Sequence, residues 1–599
     1  MDFSQFIAFG VLTLLLVSVF TDGADLTEKQ ENELNGIARE IVRCTRTPGF
    51  SLFMLNRDQG ITHEYSQGRA TTSHGFCIGD GTRAFSAVLL GILIDKNENV
   101  TWDTPVEEIL DTRTYLPDMY RSKNLNLRDI FSMRTGLSGM DVVPFAQPYD
   151  QDQLIKNLRY APVVASFREK YIHNEVLFSL VDKVTRSLGG ESWQNLMRNY
   201  ILGPLEMKDT FFAGASTKDL RNGKKIADGT VHYRAQSRSL DFEVYDGLEI
   251  VAPASALCTT ARDMYRWFVF LSSDGQATDR NLQLIKKETL EMIFQGILPR
   301  GRDGDPMTEG YRNPDIHTSY TRTMNSMGFI NGNYDGNEFV SQDGSLPGYQ
   351  TLATYIPDKR TGIYVAMLGD EKPKNFVAKV LMNIASLDYM LRGSSWVTSQ
   401  TVCSLMDDME KLHVKPMPTG PRAVGQTPNS REMEDYVNTY RNYAFGDVEV
   451  KYNATEKDQL TLEYGRITYH LQTTDKNDTF AMHVFDGPMW YSTKADWYKK
   501  NLYAVFAAAQ VRVDEDGNEV DEDEDEEGVH YVERIMNVTI AGFDSQTDPV
   551  FAINPRRPYY ERERRHSMEC SAPSSLLNSP AIFALWVGAL LSTVGTFLR

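Results

Sequence analysis

Cysteine, histidine and clustered positive charge are all scarce in this chain of 599 residues. The five cysteines, Cys44, Cys77, Cys258, Cys403 and Cys570, form no C-x-x-C pair, which excludes the common dithiol redox and zinc-ribbon motifs. The ten histidines include no H-E-x-x-H and no pair at ligand spacing, so no metal and no cofactor is expected. No basic stretch is interleaved with aromatics, and nucleic acid is therefore not an expected partner. The formal charge of −19 is local, because Asp514 to Glu527 holds eleven acids and no base and leaves −8 for everything else. That run is not an EF-hand, since Arg512 stands where the first Asp ligand before Gly517 would be needed.

The ends carry the long apolar runs. Phe6 to Phe20 is too short to cross a bilayer comfortably and is followed by the small residues Thr21 and Gly23. Residues 1–23 are therefore expected to be a signal peptide, although no Lys or Arg precedes the run. The sequons at Asn99, Asn453, Asn477 and Asn537 suit glycosylation along that route. Near the other end, Pro580 to Leu598 follows a polar spacer and the small trio Cys570-Ser571-Ala572. That order predicts a GPI-attachment signal, with Cys570 or Ser571 as the attachment residue, 557–571 as a stem and 572–599 as the removed propeptide. A single-pass helix is the alternative, and either anchor places the protein on the outer face of the plasma membrane. In that oxidising setting the first four cysteines form one or two bridges, among three connectivities that the sequence leaves open.

Between the ends, Leu26 to Arg43 reads as an amphipathic helix and Thr47 to Leu55 as a strand, with a hairpin near Asp58-Gln59-Gly60. Phe167 to Leu188 reads as mostly helical. Phe339 to Tyr355 and Ile363 to Leu368 read as two strands, and Phe376 to Leu391 as a long helix. Strands near both ends with helices between them predict an α+β fold over 26–405, one antiparallel sheet packed against helical layers. A Pro/Gly-rich stretch makes 406–430 a linker. Beyond it the apolar residues alternate in Val448 to Tyr452, Leu460 to Tyr464 and Ile467 to Leu471. This period predicts a small all-β, lipocalin-like barrel over 431–556, with 514–527 as a solvated hairpin loop.

The chain is organised around Phe76-Cys77-Ile78-Gly79-Asp80-Gly81-Thr82-Arg83, which breaks into an apolar helix running to Ile94. A helix that is apolar all round belongs in the middle of a core. Asp80 and Arg83, three apart, are neighbours at the end where unpaired N–H groups collect partial positive charge. This stretch resembles the F-x-I-G-S-x-x-K segment of the serine β-lactamase-like and penicillin-binding protein family, class C in kind. Leu127-Arg128-Asp129-Ile130-Phe131, Pro204-Leu205-Glu206-Met207-Lys208-Asp209-Thr210 and Ser345-Leu346-Pro347-Gly348-Tyr349 resemble further segments of it. The resemblance covers about 40 to 400 and implies that family's α/β sandwich.

The resemblance also implies three catalytic groups, and each is altered. Asp80 stands at the nucleophilic Ser and Arg83 at the Lys base. Asp80 could attack a carbonyl only through an anhydride, and an arginine does not give up its proton. An Asp80–Arg83 ion pair is the expected arrangement. Glu169 stands where the Tyr of Y-x-N belongs and Tyr171 where its Asn belongs, while Gln342-Asp343-Gly344 keeps only the glycine of H-x-G. Backbone N–H groups of Asp80 and Ser345 remain as a possible oxyanion pocket, and donors without a nucleophile bind but do not turn over. The leading expectation is a pseudoenzyme on the cell surface that binds an extracellular ligand or protein. A hydrolase rearranged around Asp80, Glu169 and Tyr171 is the second, and an adhesive or structural glycoprotein the third.

Overall fold

The computed structural model describes residues 25–111, 116–214, 225–233, 236–277, 280–300, 320–370, 372–413, 431–453, 459–485, 487–494, 502–514, 530–553 and 555. Residues 1–23, expected to be a signal peptide, and Cys570, Ser571 and nearly all of the acidic run lie outside them.

The sheet has eight antiparallel strands, in the order Leu298–Pro299, Tyr320–Asn325, Ile330–Tyr334, Asn337–Leu346, Tyr349–Ile356, Thr361–Leu368, Gly49–Asn56 and Ile61–Gly68. Every residue of Gly49–Asn56 is buried, because helices cover both faces of the sheet. Alternation assigns the faces. Phe50, Leu52 and Met54 join one core with the helices Glu28–Thr45, Pro373–Arg392 and Val402–His413, and Phe53 and Leu55 join the other with the central helix Thr82–Asp95. A capping box of Thr27 and Gln30 opens the first of these helices, and Cys44–Cys403 ties it to Val402–His413. Cys77–Cys258, the second bridge, joins directly paired residues of two short strands just ahead of the central helix.

Three expectations need correction. Phe167–Leu188 is helical only from Phe178, because Arg168 adopts a left-handed φ of 66° and residues 171–174 run without regular structure. Phe339 to Tyr355 is two strands, since a turn at Pro347-Gly348 folds Tyr349–Ile356 back onto Asn337–Leu346. Residues 406–413 are not linker, as Val402–His413 is one helix whose Val402, Met406 and Met409 enter the core, and 414–430 lie outside the described residues.

The second region closes as a barrel of eight antiparallel strands from Asn438–Asn442 to Val550–Ala552, with Arg441 pairing Ala552. Strands Tyr503–Val513 and His530–Ala541 pair antiparallel across the acidic run, so that run connects a hairpin. The barrel is docked. Arg466 donates to the carbonyls of Phe145 at 2.7 Å and of Glu243 and Val244 at 2.8 Å each. Gly139 N–H donates to Gln546 at 2.9 Å, Ser545 N–H to Asp141 at 3.1 Å, and Ser138 bonds Asp544. Asn99, Asn453 and Asn477 are exposed, whereas Asn537 is half-buried within a barrel strand.

Candidate active site

Gly79–Gly81 form a single 3-10 turn that leads into the central helix, and Thr82 to Leu93 are all buried. This turn sits against the strand Asn337–Leu346, backbone to backbone. A Cβ on Gly344 would lie 1.9 Å from the Ile78 carbonyl oxygen, and one on Gly79, at φ 47°, 2.5 Å from the Ser345 carbonyl oxygen. Gln342 closes the same junction by donating to the Gly81 carbonyl at 3.2 Å. Gly344→Ala is expected to destabilise the protein by about 2 kcal/mol, read by urea unfolding, since backbone on both sides has to move.

Asp80 and Arg83 form the expected ion pair. Arg83 Nη2 also lies 3.8 Å from Glu175 Oε1, so one guanidinium serves two carboxylates. Burial raises the Asp80 carboxyl, but Arg83, His173 and a hydrogen bond with Glu175 outweigh it and hold Asp80 below the usual range. Glu175 moves well upward, through burial first and then the Asp80 charge beside it. Burial also raises the Tyr171 phenol, which sits 3.4 Å from His173 Nδ1.

Glu169 is not part of this group. It is exposed and accepts from Ser166 N–H at 3.0 Å. The cause is its neighbour: Arg168 makes a two-pronged pair with the buried Asp129, at 2.8 and 2.7 Å, which anchors the loop and turns residue 169 to solvent. The rearranged site of Asp80, Glu169 and Tyr171 therefore does not assemble. Glu175 takes the place expected of Glu169.

A second charged group lies across the cleft. Asp343 pairs with Lys379 at 2.5 Å and with Arg322 at 2.9 Å, and the two cationic side chains are only 1% and 3% exposed. Burial would raise the Asp343 carboxyl, but Lys379 and Arg322 pull it down to about 2. Lys379 comes from the long helix behind the sheet and also reaches the carbonyl of Thr351 at 3.3 Å. Its sequence signal was a lone charge inside Val377-Ala378-Lys379-Val380-Leu381. Thr82 and Ser86 carry structure: Thr82 Oγ1 accepts from Leu257 N–H at 3.0 Å, and Ser86 Oγ donates to the Pro253 carbonyl at 2.7 Å.

Two cavities meet at Asp80 and Ser345. One, of about 310 Å³, is polar and is also lined by Arg83, Tyr171, Arg322 and Lys379. The other, of about 470 Å³, is lined in addition by His173, Glu175 and apolar barrel residues such as Tyr469 and Phe543. Asp80, Arg83, Tyr171 and Ser345 thus share one cleft, with Gln342 and Gly344 in its supporting wall.

Residues 34–385 match the family described as Beta-lactamase. The unguisins hydrolase ungD of Aspergillus violaceofuscus is 24% identical over 356 residues, covering 56% of this chain and 61% of that protein. A counterpart in Aspergillus campestris is 25% identical and is likewise covered over 61% of its length, so the chain spans about three fifths of these relatives. Gigasin-6 of Magallana gigas is 21% identical over 280 residues, 45% of this chain and 90% of that one. Among solved structures, the octameric penicillin-binding protein homologue from Pyrococcus abyssi superposes with a TM-score of 0.49 at 15% identity, over 86% of this chain and 99% of that one. With the family match running over more than half its length, from the first long helix through the cleft strand, this chain belongs to the β-lactamase family.

Proposed function

We propose that the protein is a β-lactamase-family pseudoenzyme, a binding protein that keeps the cleft and has lost acyl transfer. The Asp80–Arg83 pair carries the reading. The position from which a nucleophile would attack holds a carboxylate already engaged by a permanent cation, and that cation cannot act as a base. Lys379 offers no substitute, because its ammonium is committed to Asp343. The bound molecule is an extracellular ligand or protein met at the membrane surface, where a GPI anchor holds the chain. The hydrolase names of the relatives belong to proteins that this chain matches over about three fifths of their length.

Covalent labelling tests this. The wild-type chain is expected to form no adduct with a fluorophosphonate or a chromogenic β-lactam and to release no product from an activated ester. The Asp80→Ser/Arg83→Lys variant is expected to take up phosphonate at position 80. A stoichiometric adduct on the wild-type chain, or repeated turnover, would sink the proposal.

A further inference from the structure

The larger cavity, between the cleft and the barrel mouth, has no Lys or Arg in its lining. Its carboxyl and imidazole groups are those of Asp80, Asp141, His173 and Glu175. Three of these converge: a carboxylate oxygen of Asp80, a ring nitrogen of His173 and a carboxylate oxygen of Glu175 all lie within 4.8 Å of one another. Ligand atoms so placed are all reachable by one ion with bonds of about 2.0–2.2 Å, after small side-chain adjustments. We propose that Asp80, His173 and Glu175 form a binding site for a divalent transition ion of the zinc class.

Charge and support both favour it. Arg83 contacts one oxygen of each carboxylate, and an ion would take the place of the proton that Asp80 and Glu175 share in their hydrogen bond. An ion that displaces the Glu175 proton meets three carboxylates, Asp80, Asp141 and Glu175, against the single guanidinium of Arg83. One nitrogen and two oxygens suit zinc or manganese better than thiolate-seeking ions. The outer partners are in place: Arg83 holds the carboxylates and the Tyr171 hydroxyl lies beside His173 Nδ1. The segment bearing His173 and Glu175 is fixed through Asn174, whose Nδ2 donates to the Ser138 carbonyl at 2.6 Å, and Ser138 is held in turn by Asp544 of the barrel. The rest of the cavity leaves room for water or a ligand to complete the coordination. The site goes beyond the loss of acyl transfer and does not depend on it.

Zinc uptake by the full chain decides the matter. After dialysis against a chelator, titration with zinc chloride is expected to show one saturable ion per chain. Cobalt(II) is expected to give visible absorption that zinc then bleaches. His173→Ala and Glu175→Gln are each expected to weaken uptake by at least about tenfold while circular dichroism stays unchanged. In the wild-type chain, which involves no variant, zinc is expected to protect His173 from diethyl pyrocarbonate, mapped by mass spectrometry. No saturable uptake by the wild type, uptake untouched by both substitutions, or modification of His173 that zinc does not slow would each overturn the site. The readout is bound metal, so its failure is distinct from the failure of the labelling experiment.

Discussion

Asp343→Asn is expected to cost about 3–5 kcal/mol of stability near neutral pH, because it leaves Lys379 and Arg322 buried with no counter-charge. Urea unfolding measures it. Adding Lys379→Met should recover part of the loss, since it removes one of the stranded cations. A double variant as unstable as the single one would show that the three groups are not coupled. The pH dependence has a definite sign. The Asp343 carboxyl is held down at about 2 in the folded chain, below its unfolded value near 3.9. Its contribution, about 2.5 kcal/mol, is therefore complete above about pH 4 and is lost as pH falls toward 2. The gap between wild type and Asp343→Asn should narrow over that window, and a constant gap would contradict the ion-pair account.

Replacing both Cys77 and Cys258 by alanine is expected to cost about 2–5 kcal/mol, measured by the same unfolding experiment under oxidising conditions. The bridge spans 181 residues of sequence, so the unfolded chain gains a large closed loop's worth of freedom when it is removed. Both cysteines are fully buried, while Cys44 and Cys403 are partly exposed. Mild reductant should therefore open Cys44–Cys403 first and leave Cys77–Cys258 intact until the protein unfolds, as read by alkylation and mass spectrometry. Cys77 pairs with Cys258 only two residues ahead of the turn at Gly79, so the double variant should also loosen the cleft. Faster amide exchange at Asp80 and Arg83 would record that.

Much of the fold was legible in periodicity. Alternation in Val448 to Tyr452 and its neighbours marked the barrel, because in-and-out residues on a strand repeat every two positions. The all-apolar helix after Gly79 marked the centre of the core, because no face of it could meet water. The segment before Phe178 was misread by the same kind of pattern. Taken as helix, residues 171, 173 and 175 point in different directions. Run out as irregular, extended chain, Tyr171, His173 and Glu175 alternate and face one cleft. The two strands within Phe339–Tyr355 merged in the sequence because Tyr349–Ile356 is buried throughout, Phe339–Gln342 is buried as well, and the turn at Pro347-Gly348 is only two residues long.

By itself the sequence determined the local chemistry. An aspartate and an arginine three apart at a helix start pair wherever that helix sits, since the helical repeat alone brings them together. It also put an aspartate and an arginine at the positions where the resemblance implies the family's alcohol and its removable-proton base. Only the tertiary structure decided which distant groups join them. Glu175 rather than Glu169 faces Asp80, because the Arg168–Asp129 pair turns the loop. Lys379 meets Asp343 across 36 positions, and barrel residues roof the second cavity. Such meetings depend on how helices, sheet and barrel pack against one another, and neither spacing nor period along the chain encodes that.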